Sequence, residues 1–146
     1  MSRTLDQAQA LAAFQRASAG TQEVFGDFFL ARLLGLEISY PGDACEVAFE
    51  AQDFMFNPQG SLHGGIIATA LDIAMGHLIN RQGTPGTTLE MKIQYLAAMR
   101  HGRLVCRGEA LRQGGTWFLR AEARDQEGTL VAYATSTWKL LKKRPA

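Results

Sequence analysis

A polar, glycine-containing loop leads directly into an apolar segment that carries one carboxylate. The loop covers residues 57–65 and contains His63, and the apolar segment covers residues 66–79 and contains Asp72. A helix that is apolar nearly all round is buried, and an ionised side chain inside it needs a partner, a cavity or a catalytic role. A lone Asp on a helix can also simply face solvent. Asp72 is therefore the first candidate for chemistry, and its surroundings must decide between these roles.

The two glycines that follow His63 are the second candidate. Gly64 and Gly65 stand where the loop becomes the helix, so unpaired backbone N–H groups and the positive end of the helix dipole face a space free of bulky side chains. An oxyanion could bind there. A tight turn would use the same glycines, and the two interpretations are compatible.

The chain around these residues predicts a helical lead, two strands, one buried helix and four further strands. Residues 1–34 have helical spacing, with a break near Gly20 and a second helix after Thr21. Turn residues at 41–43 predict a hairpin between residues 36–40 and 44–49. The central helix is predicted from about Gly64 to Asn80. The later strands are predicted at residues 87–96, 103–111, 117–124 and 130–141.

The apolar coat of the central helix decides the architecture. Periodicity alone predicts the α+β class with an antiparallel sheet. A helix that is apolar on all sides must be covered on more than one side, and a strongly curved sheet wrapped around it does this, which is a hot dog fold. We expect one domain, with residues 1–34 as its N-terminal helical segment and residues 35–146 as the hot dog part.

Composition excludes several classes of protein. A net charge of +1 over 146 residues argues against a nucleic-acid-binding surface, and the basic residues 142–144 are interpreted as a solvated end. The apolar segment is too short to cross a bilayer, and no signal peptide is visible, so we expect no membrane contact and a cytoplasmic protein. Cys45 and Cys106 lie in predicted strands and are expected to pack in the core.

Residues 57–76 resemble the signature of the PaaI-type hot dog thioesterases, which hydrolyse acyl-CoA thioesters. The shared features are an Asn-Pro-x-Gly opening, His-Gly-Gly six residues after the Asn, and an Asp nine residues after the His. Residues 87–96 resemble the next strand of the family and residues 128–138 its last, so that the resemblance extends over about residues 34–140. One departure is the Ala-Ala-Met-Arg at 97–100, where many relatives have a proline.

The resemblance implies a role for each matching residue. Asp72 would activate water or attack the thioester itself, and the backbone N–H of Gly64 would polarise the thioester carbonyl. Asn57 would orient water or substrate, although Asn-Pro is also a common way to begin a turn. His63 would hold the loop and hydrogen-bond near the thioester, and Thr88 would assist the water.

The same resemblance makes acyl-CoA the substrate, so that no separate cofactor is expected. Gly65 is a further candidate for substrate binding, and Arg100 and Arg112 are candidates for the phosphates of coenzyme A, with a solvated face as their alternative. A metal site is not expected, because the spacings between His63, Asp72 and His77 do not place them on one helical face.

The sites of such enzymes lie at a dimer interface. Asp72 of one chain is then expected to face Asn57, His63 and Gly64 of its neighbour in a homodimer, which pairs again into a homotetramer. Two alternatives stay open: a hot dog dehydratase or hydratase with a histidine base, and a module that binds acyl-CoA without turnover. The residues leave the acyl group and the pathway undecided.

Overall fold

The elements follow the predicted order. The computed structural model describes residues 2–142. Its helices are α1 (Gln7–Ser18), α2 (Phe29–Leu34) and α3 (Gly64–Asn80), with a short 3₁₀ helix at Asp53–Met55. Its strands are β1 (Glu37–Ser39), β2 (Cys45–Glu50), β3 (Gly86–Tyr95), β4 (Arg103–Arg112), β5 (Thr116–Arg124) and β6 (Leu130–Leu140). The predicted bounds of the central helix are confirmed.

The strands form one antiparallel sheet in the order β1-β2-β4-β5-β6-β3. Strand β5 shows why one face is buried, because Trp117, Leu119, Ala121 and Ala123 alternate with exposed or half-buried neighbours. Bulges in the β3–β6, β4–β5 and β5–β6 pairings increase the local twist of the sheet. Helix α3 packs against this buried face. The hot dog fold predicted from the apolar coat of the helix is confirmed.

Close contact between α3 and the sheet depends on small residues. A Cβ at Gly76 would lie 2.9 Å from Cη2 of Trp138, and a Cβ at Gly108 would lie 3.3 Å from the backbone of Ala74. Helix and sheet therefore touch almost backbone to backbone at Gly108, and the core closes without a gap there. Cys45 and Cys106 are fully buried and unpaired, which confirms their predicted place in the core.

The second helix is shorter than predicted. It begins at Phe29 rather than after Thr21, and the preceding residues form a turn closed by a Val24–Asp27 bridge. The carboxylate of Glu23 accepts a hydrogen bond from the N–H of Phe29 at 2.9 Å. A side chain outside the helix therefore provides an acceptor for an N–H of its first turn. The division of the chain at residue 34 stays a prediction.

One arginine explains why this segment is not helical. Arg32 is mostly buried, and its guanidinium donates to three backbone carbonyls and to the Asp27 carboxylate. The three carbonyls belong to Ala17, Gly20 and Gln22. Arg32 supplies hydrogen-bond partners to carbonyls that lack one at the end of α1 and in the turn after it, and this contact stabilises the non-helical path against the local apolar periodicity.

Strand β3 is followed by residues 97–100, where the sequence departs from the pattern that it otherwise resembles. The N–H groups of Leu96 and Ala97 both donate to the carbonyl of Val131, at 2.8 and 3.2 Å, and Leu62 donates to the carbonyl of Met99 at 2.7 Å. These bonds tie the chain that follows β3 to β6 and to the loop before α3.

Within residues 2–142 no helix is long and apolar enough to span a bilayer. Of the basic residues 142–144, the last two lie outside the described residues.

Substitution at Gly108 tests the close packing. We expect Gly108→Val to lower the free energy of unfolding by about 1–3 kcal/mol, because the new methyl groups press on the backbone of α3. Gly115→Val is the matched control, since nothing lies within 4 Å of a Cβ there, and it should change stability by less than about 0.5 kcal/mol. Urea unfolding measures both, and equal effects of the two substitutions would contradict the packing described here.

Candidate active site

Asp72 lies in the middle of α3, half-buried, and lines a cavity of about 700 Å³. The hydroxyl of Thr88 on β3 donates to Oδ1 of Asp72 at 2.8 Å. The two residues are far apart in sequence, and the packing of β3 beside the helix brings them together. Since Oδ1 is held by Thr88, Oδ2 is the oxygen left for a further partner.

Burial changes the acidity of Asp72. The loss of water around the carboxyl raises its pKa above the ordinary value, and the hydrogen bond from Thr88 acts in the opposite direction because it favours the charged form. A carboxylate whose pKa has moved toward neutrality is a stronger base than an exposed one, which suits proton abstraction from water.

The cavity beside Asp72 is lined mainly by apolar side chains. They come from the segment before α2, from α2 and α3, and from β3 and β6: Val24, Phe25, Phe28, Leu30, Ala68, Ile73, Met91 and Trp138. Phe28 lines this cavity, whereas Phe54, Phe56 and Met75 belong to or pack against the core. The cavity is large enough for a medium-sized apolar ligand.

His63 begins helix α3. Its backbone is extended and its Nδ1 accepts the N–H of Gly65 at 2.9 Å, so the imidazole is the N-cap of the helix. An acceptor Nδ1 places the proton of the neutral ring on Nε2. The structural role of His63, holding the loop, is therefore the one seen within this chain.

The cap also separates the roles of the two glycines. The N–H of Gly65 is occupied by His63, which leaves this predicted substrate-binding residue without a free donor. Gly64 is the first residue of α3, so its N–H has no partner inside the helix. Of the two glycines, Gly64 is therefore the one whose N–H has no partner within the helix.

Tyr95 at the end of β3 completes this region, and sequence reasoning did not assign it a role. Its hydroxyl donates to the carbonyl of Gly64 at 2.8 Å, and a Cβ on Gly64 would lie 3.1 Å from Cζ of Tyr95. Gly64 and Tyr95 line a second cavity of about 340 Å³, together with residues 61–62, 67 and 96–99. In the sequence, the only indication of a role for Tyr95 was its position in the strand at residues 87–96, which resembles the family.

Asn57 holds its own loop. Its Oδ1 accepts the N–H of Ser61 at 3.1 Å, and its Nδ2 donates to Oγ of Ser61 at 2.9 Å. Backbone bonds between the same two residues and from Gly60 to Asn57 close the turn. Within one chain Asn57 therefore serves the turn role that Asn-Pro commonly serves.

One chain does not bring Asp72 and Gly64 together. The two residues are eight positions apart on one helix, which corresponds to about 12 Å along its axis. They also line different cavities. A single thioester carbonyl cannot meet both groups of the same chain.

The two candidate arginines lie at opposite ends of the sheet. Arg100 is exposed beside the loop before α3, with Nη1 at 3.5 Å from the carbonyl of Gln59. Arg112 is the last of the ten residues of β4. It lies nine residues after Arg103, which corresponds to about 30 Å along the strand. Arg100 is near the start of the helix and Arg112 is not, so they do not form one phosphate site within a chain.

Among the described residues no cluster of three or more His, Cys, Asp or Glu side chains could hold a metal ion.

Comparison with known proteins identifies the family. A model of the thioesterase superfamily matches residues 59–132. The chain belongs to this family. It is 30% identical over 127 residues to the medium/long-chain acyl-CoA thioesterase YigI of Escherichia coli, covering 73% of this chain and 82% of that protein. The predicted enzyme class, a thioester hydrolase, is confirmed at the level of the family.

Two solved structures share the fold. The BH2602 protein of Bacillus halodurans, whose structure was determined with CoA, is 27% identical, has a TM-score of 0.86, and is matched over 97% of both chains. The PaaI protein of Escherichia coli is 22% identical with a TM-score of 0.77, over 92% of this chain and 96% of that one. The likeness to PaaI shows the hot dog fold, and the match to the superfamily confirms the predicted family of hot dog thioesterases. The matches to two further relatives are shorter. The chain spans 63% of the length of a putative esterase of Saccharolobus solfataricus and 64% of that of the human acyl-coenzyme A thioesterase 13.

Replacement of His63 tests the cap. We expect His63→Ala to lower the free energy of unfolding by about 1 kcal/mol, because the N–H of Gly65 loses its acceptor. His63→Asn restores an N-cap acceptor and should recover most of this loss. His101→Ala, at an exposed turn position, controls for the loss of a histidine. Thermal or urea unfolding measures all three, and a His63→Ala variant as stable as His101→Ala would rule the cap out.

Proposed function

We propose that this protein hydrolyses an acyl-CoA thioester to a free acid and coenzyme A. The observation that carries the proposal is a half-buried carboxylate, Asp72, held by Thr88 at an apolar cavity of about 700 Å³. An acyl chain suits the apolar walls, and the carboxylate suits the activation of water. Membership of the thioesterase superfamily supports the choice of thioester, and so does the BH2602 structure, which was determined with CoA.

The reaction needs a base and an oxyanion donor. As a general base, Asp72 removes a proton from water through Oδ2 while the water oxygen bonds to the thioester carbon. The carbonyl oxygen then becomes an oxyanion, which the N–H of Gly64 stabilises, and a donor of this kind is worth roughly 10²–10³ in rate. The C–S bond then breaks and the thiolate takes up the proton. As a nucleophile, Asp72 would instead form an anhydride that water hydrolyses.

Neither step requires a metal or a further cofactor. The thiolate of coenzyme A is a good leaving group, because thiols are far more acidic than alcohols or amines. The base contributes roughly 10²–10⁴ in rate if it lies within hydrogen-bond reach of the water. Arg100, beside the loop before α3, is the better placed of the two predicted phosphate contacts. Arg112 would have to act from the other end of the sheet.

The distance between Asp72 and Gly64 makes the site one of two chains. Asp72 of one chain faces Gly64, His63 and Asn57 of its partner, and the partner's loop lies over the acyl cavity. Strand β3 suits such an interface because it ends the sheet and pairs only with β6 among the described strands. Its open edge can pair with the same strand of a second copy, which gives a symmetric homodimer.

Side chains of β3 support the same interface. Leu89 and Tyr95 on β3, and Leu96 directly after it, are more than half exposed, and such a group of exposed apolar side chains is typical of an interface. Met91 lines the Asp72 cavity and Tyr95 lines the Gly64 cavity. Pairing of two β3 strands therefore brings the two kinds of cavity into one interface. Association of two dimers into a tetramer stays a prediction from the resemblance.

The alternative with a histidine base is less well supported. His63 uses Nδ1 as the cap of α3, so its neutral ring has no free acceptor nitrogen for proton abstraction. A module that binds acyl-CoA without turnover shares the cavity but has no use for a carboxylate of raised pKa. Turnover separates it from the thioesterase.

Substitution of Asp72 tests the function directly. We expect the parent to release free thiol from medium-chain or aromatic acyl-CoA, and Asp72→Asn to lower kcat/KM at least a hundredfold, because the amide keeps the Thr88 bond but is no base. The control is Thr69→Val, which lines the same cavity away from the proposed chemistry. Asp72→Asn with activity near that of the parent would refute the role of the carboxylate.

The pH profile tests the contact with Thr88. The hydroxyl lowers the pKa of Asp72 against the effect of burial, so Thr88→Val should raise that pKa further. The base is active when ionised, and the acid limb of the profile of kcat/KM should therefore move to higher pH. Thr87→Val, on the opposite face of β3 and exposed, is the matched control. An acid limb that stays in place in Thr88→Val would contradict this assignment.

A further inference from the structure

His77 is a buried side chain that the chemistry above does not use. It is only 4% exposed, and the hydroxyl of Tyr40 lies 2.9 Å from its Nδ1. Its other ring nitrogen, Nε2, is buried and has no hydrogen-bond partner among the described residues. Buried polar atoms are almost always paired, so an unpaired one is a sign of a partner that arrives from outside.

The position of His77 indicates what that partner belongs to. His77 lines the same cavity as Asp72 and follows it by five residues on α3, which corresponds to about 7.5 Å along the helix. Most of the remaining wall is apolar. An acyl group whose thioester lies at Asp72 would therefore reach His77 some way along its chain.

We propose that Nε2 of His77 hydrogen-bonds a hydroxyl group on the distal part of the acyl chain, so that the enzyme prefers hydroxyacyl-CoA to unsubstituted acyl-CoA. This inference rests on the proposed thioesterase function and names its class of substrate. A buried polar atom that lacks its partner when the analogue binds is a strong source of discrimination.

A hydroxyl group fits the site better than other polar groups. If Tyr40 donates to Nδ1, then Nε2 carries a proton and donates; if Nδ1 donates to Tyr40, then Nε2 accepts. A hydroxyl can both donate and accept, so it pairs with either tautomer. A carboxylate is disfavoured, because Asp72 and Glu23 already line the cavity and burial lowers the pKa of His77, which keeps the ring neutral.

The Phe25 ring lies against the His77 ring. The two ring centroids are 4.9 Å apart, and the Phe25 side chain is half exposed on the turn before α2. A Cβ on Gly26 would lie 3.5 Å from Cε1 of His77, so the same turn closes over the ring. Displacement of Phe25 breaks apolar contacts and no hydrogen bond of its side chain. A substrate hydroxyl group can therefore reach the His77 ring at the cost of apolar contacts alone.

The test compares two substrates of equal length, octanoyl-CoA and ω-hydroxyoctanoyl-CoA, by thiol release. The parent should prefer the hydroxylated substrate roughly tenfold or more in kcat/KM, mainly through KM. In His77→Phe, which keeps an aromatic ring but removes Nε2, the ratio should fall to about one. Tyr40→Phe is the matched control, because it also breaks the Tyr40–His77 bond but keeps Nε2, and it should retain most of the preference.

Each outcome distinguishes this inference from the proposed function. Hydrolysis of both substrates by the parent without preference would overturn the inference and leave the thioesterase standing. Equal loss of preference in Tyr40→Phe would overturn the role of Nε2. Hydrolysis of neither of these substrates, nor of other acyl-CoAs, would overturn the proposed function and the inference with it. The ratio is measured within each variant, so partial loss of folded protein does not affect it, and the preference of the parent needs no variant.

Discussion

Burial of one carboxylate in an apolar helix is the constraint on which the rest of the structure depends. Helix α3 is covered by the sheet because its side chains are apolar on nearly every side, and Asp72 must nevertheless remain reachable. An ionised carboxyl in such a place is costly unless it is paired. The structure meets this with one hydrogen bond from Thr88 and an open cavity beside the second oxygen, so the carboxyl is held and remains accessible.

The geometry of a straight helix then requires a second chain. The donor at the helix start and the base in its middle are about 12 Å apart, and no loop movement within one chain changes their spacing on a regular helix. The loop residues around Gly64 are held by hydrogen bonds between His63 and Gly65 and between Asn57 and Ser61. In the proposed dimer this loop is therefore a preformed unit that one chain offers to the other, which keeps the oxyanion donor in place before substrate arrives.

The local sequence predicted most of the fold because its signals are local. The bounds of α3 follow from the Gly-Gly start and the apolar run, and the hairpin follows from its turn residues. The hydrogen bond from Thr88 to Asp72 was not predicted. The family resemblance gave Thr88 only a role beside the water, and no periodicity places these two residues in contact.

Other features depend on contacts that a linear pattern does not contain. The non-helical turn before α2 is stabilised by Arg32, whose guanidinium donates hydrogen bonds to the carbonyls of three earlier residues. The helix predicted after Thr21 therefore begins only at Phe29, and the side chains of Val24 and Phe25 line the cavity instead. His77 was considered only as a metal ligand, and its burial beside Tyr40 becomes evident only when the end of β1 and α3 are packed together.

The most direct test of a site built from two chains is a mixing experiment with two inactive variants. Asp72→Asn lacks the base. Gly64→Pro lacks the N–H donor; proline suits the first position of a helix, and its Cβ requires a small shift of the Tyr95 ring, whose Cζ would lie 3.1 Å away. Each variant alone should be inactive. After exchange of subunits in an equal mixture, half of the dimers are mixed and each has one intact site, so activity should return to about a quarter of that of the parent. Mixed dimers that form, as shown by tagged subunits, but stay inactive would contradict a site shared between chains.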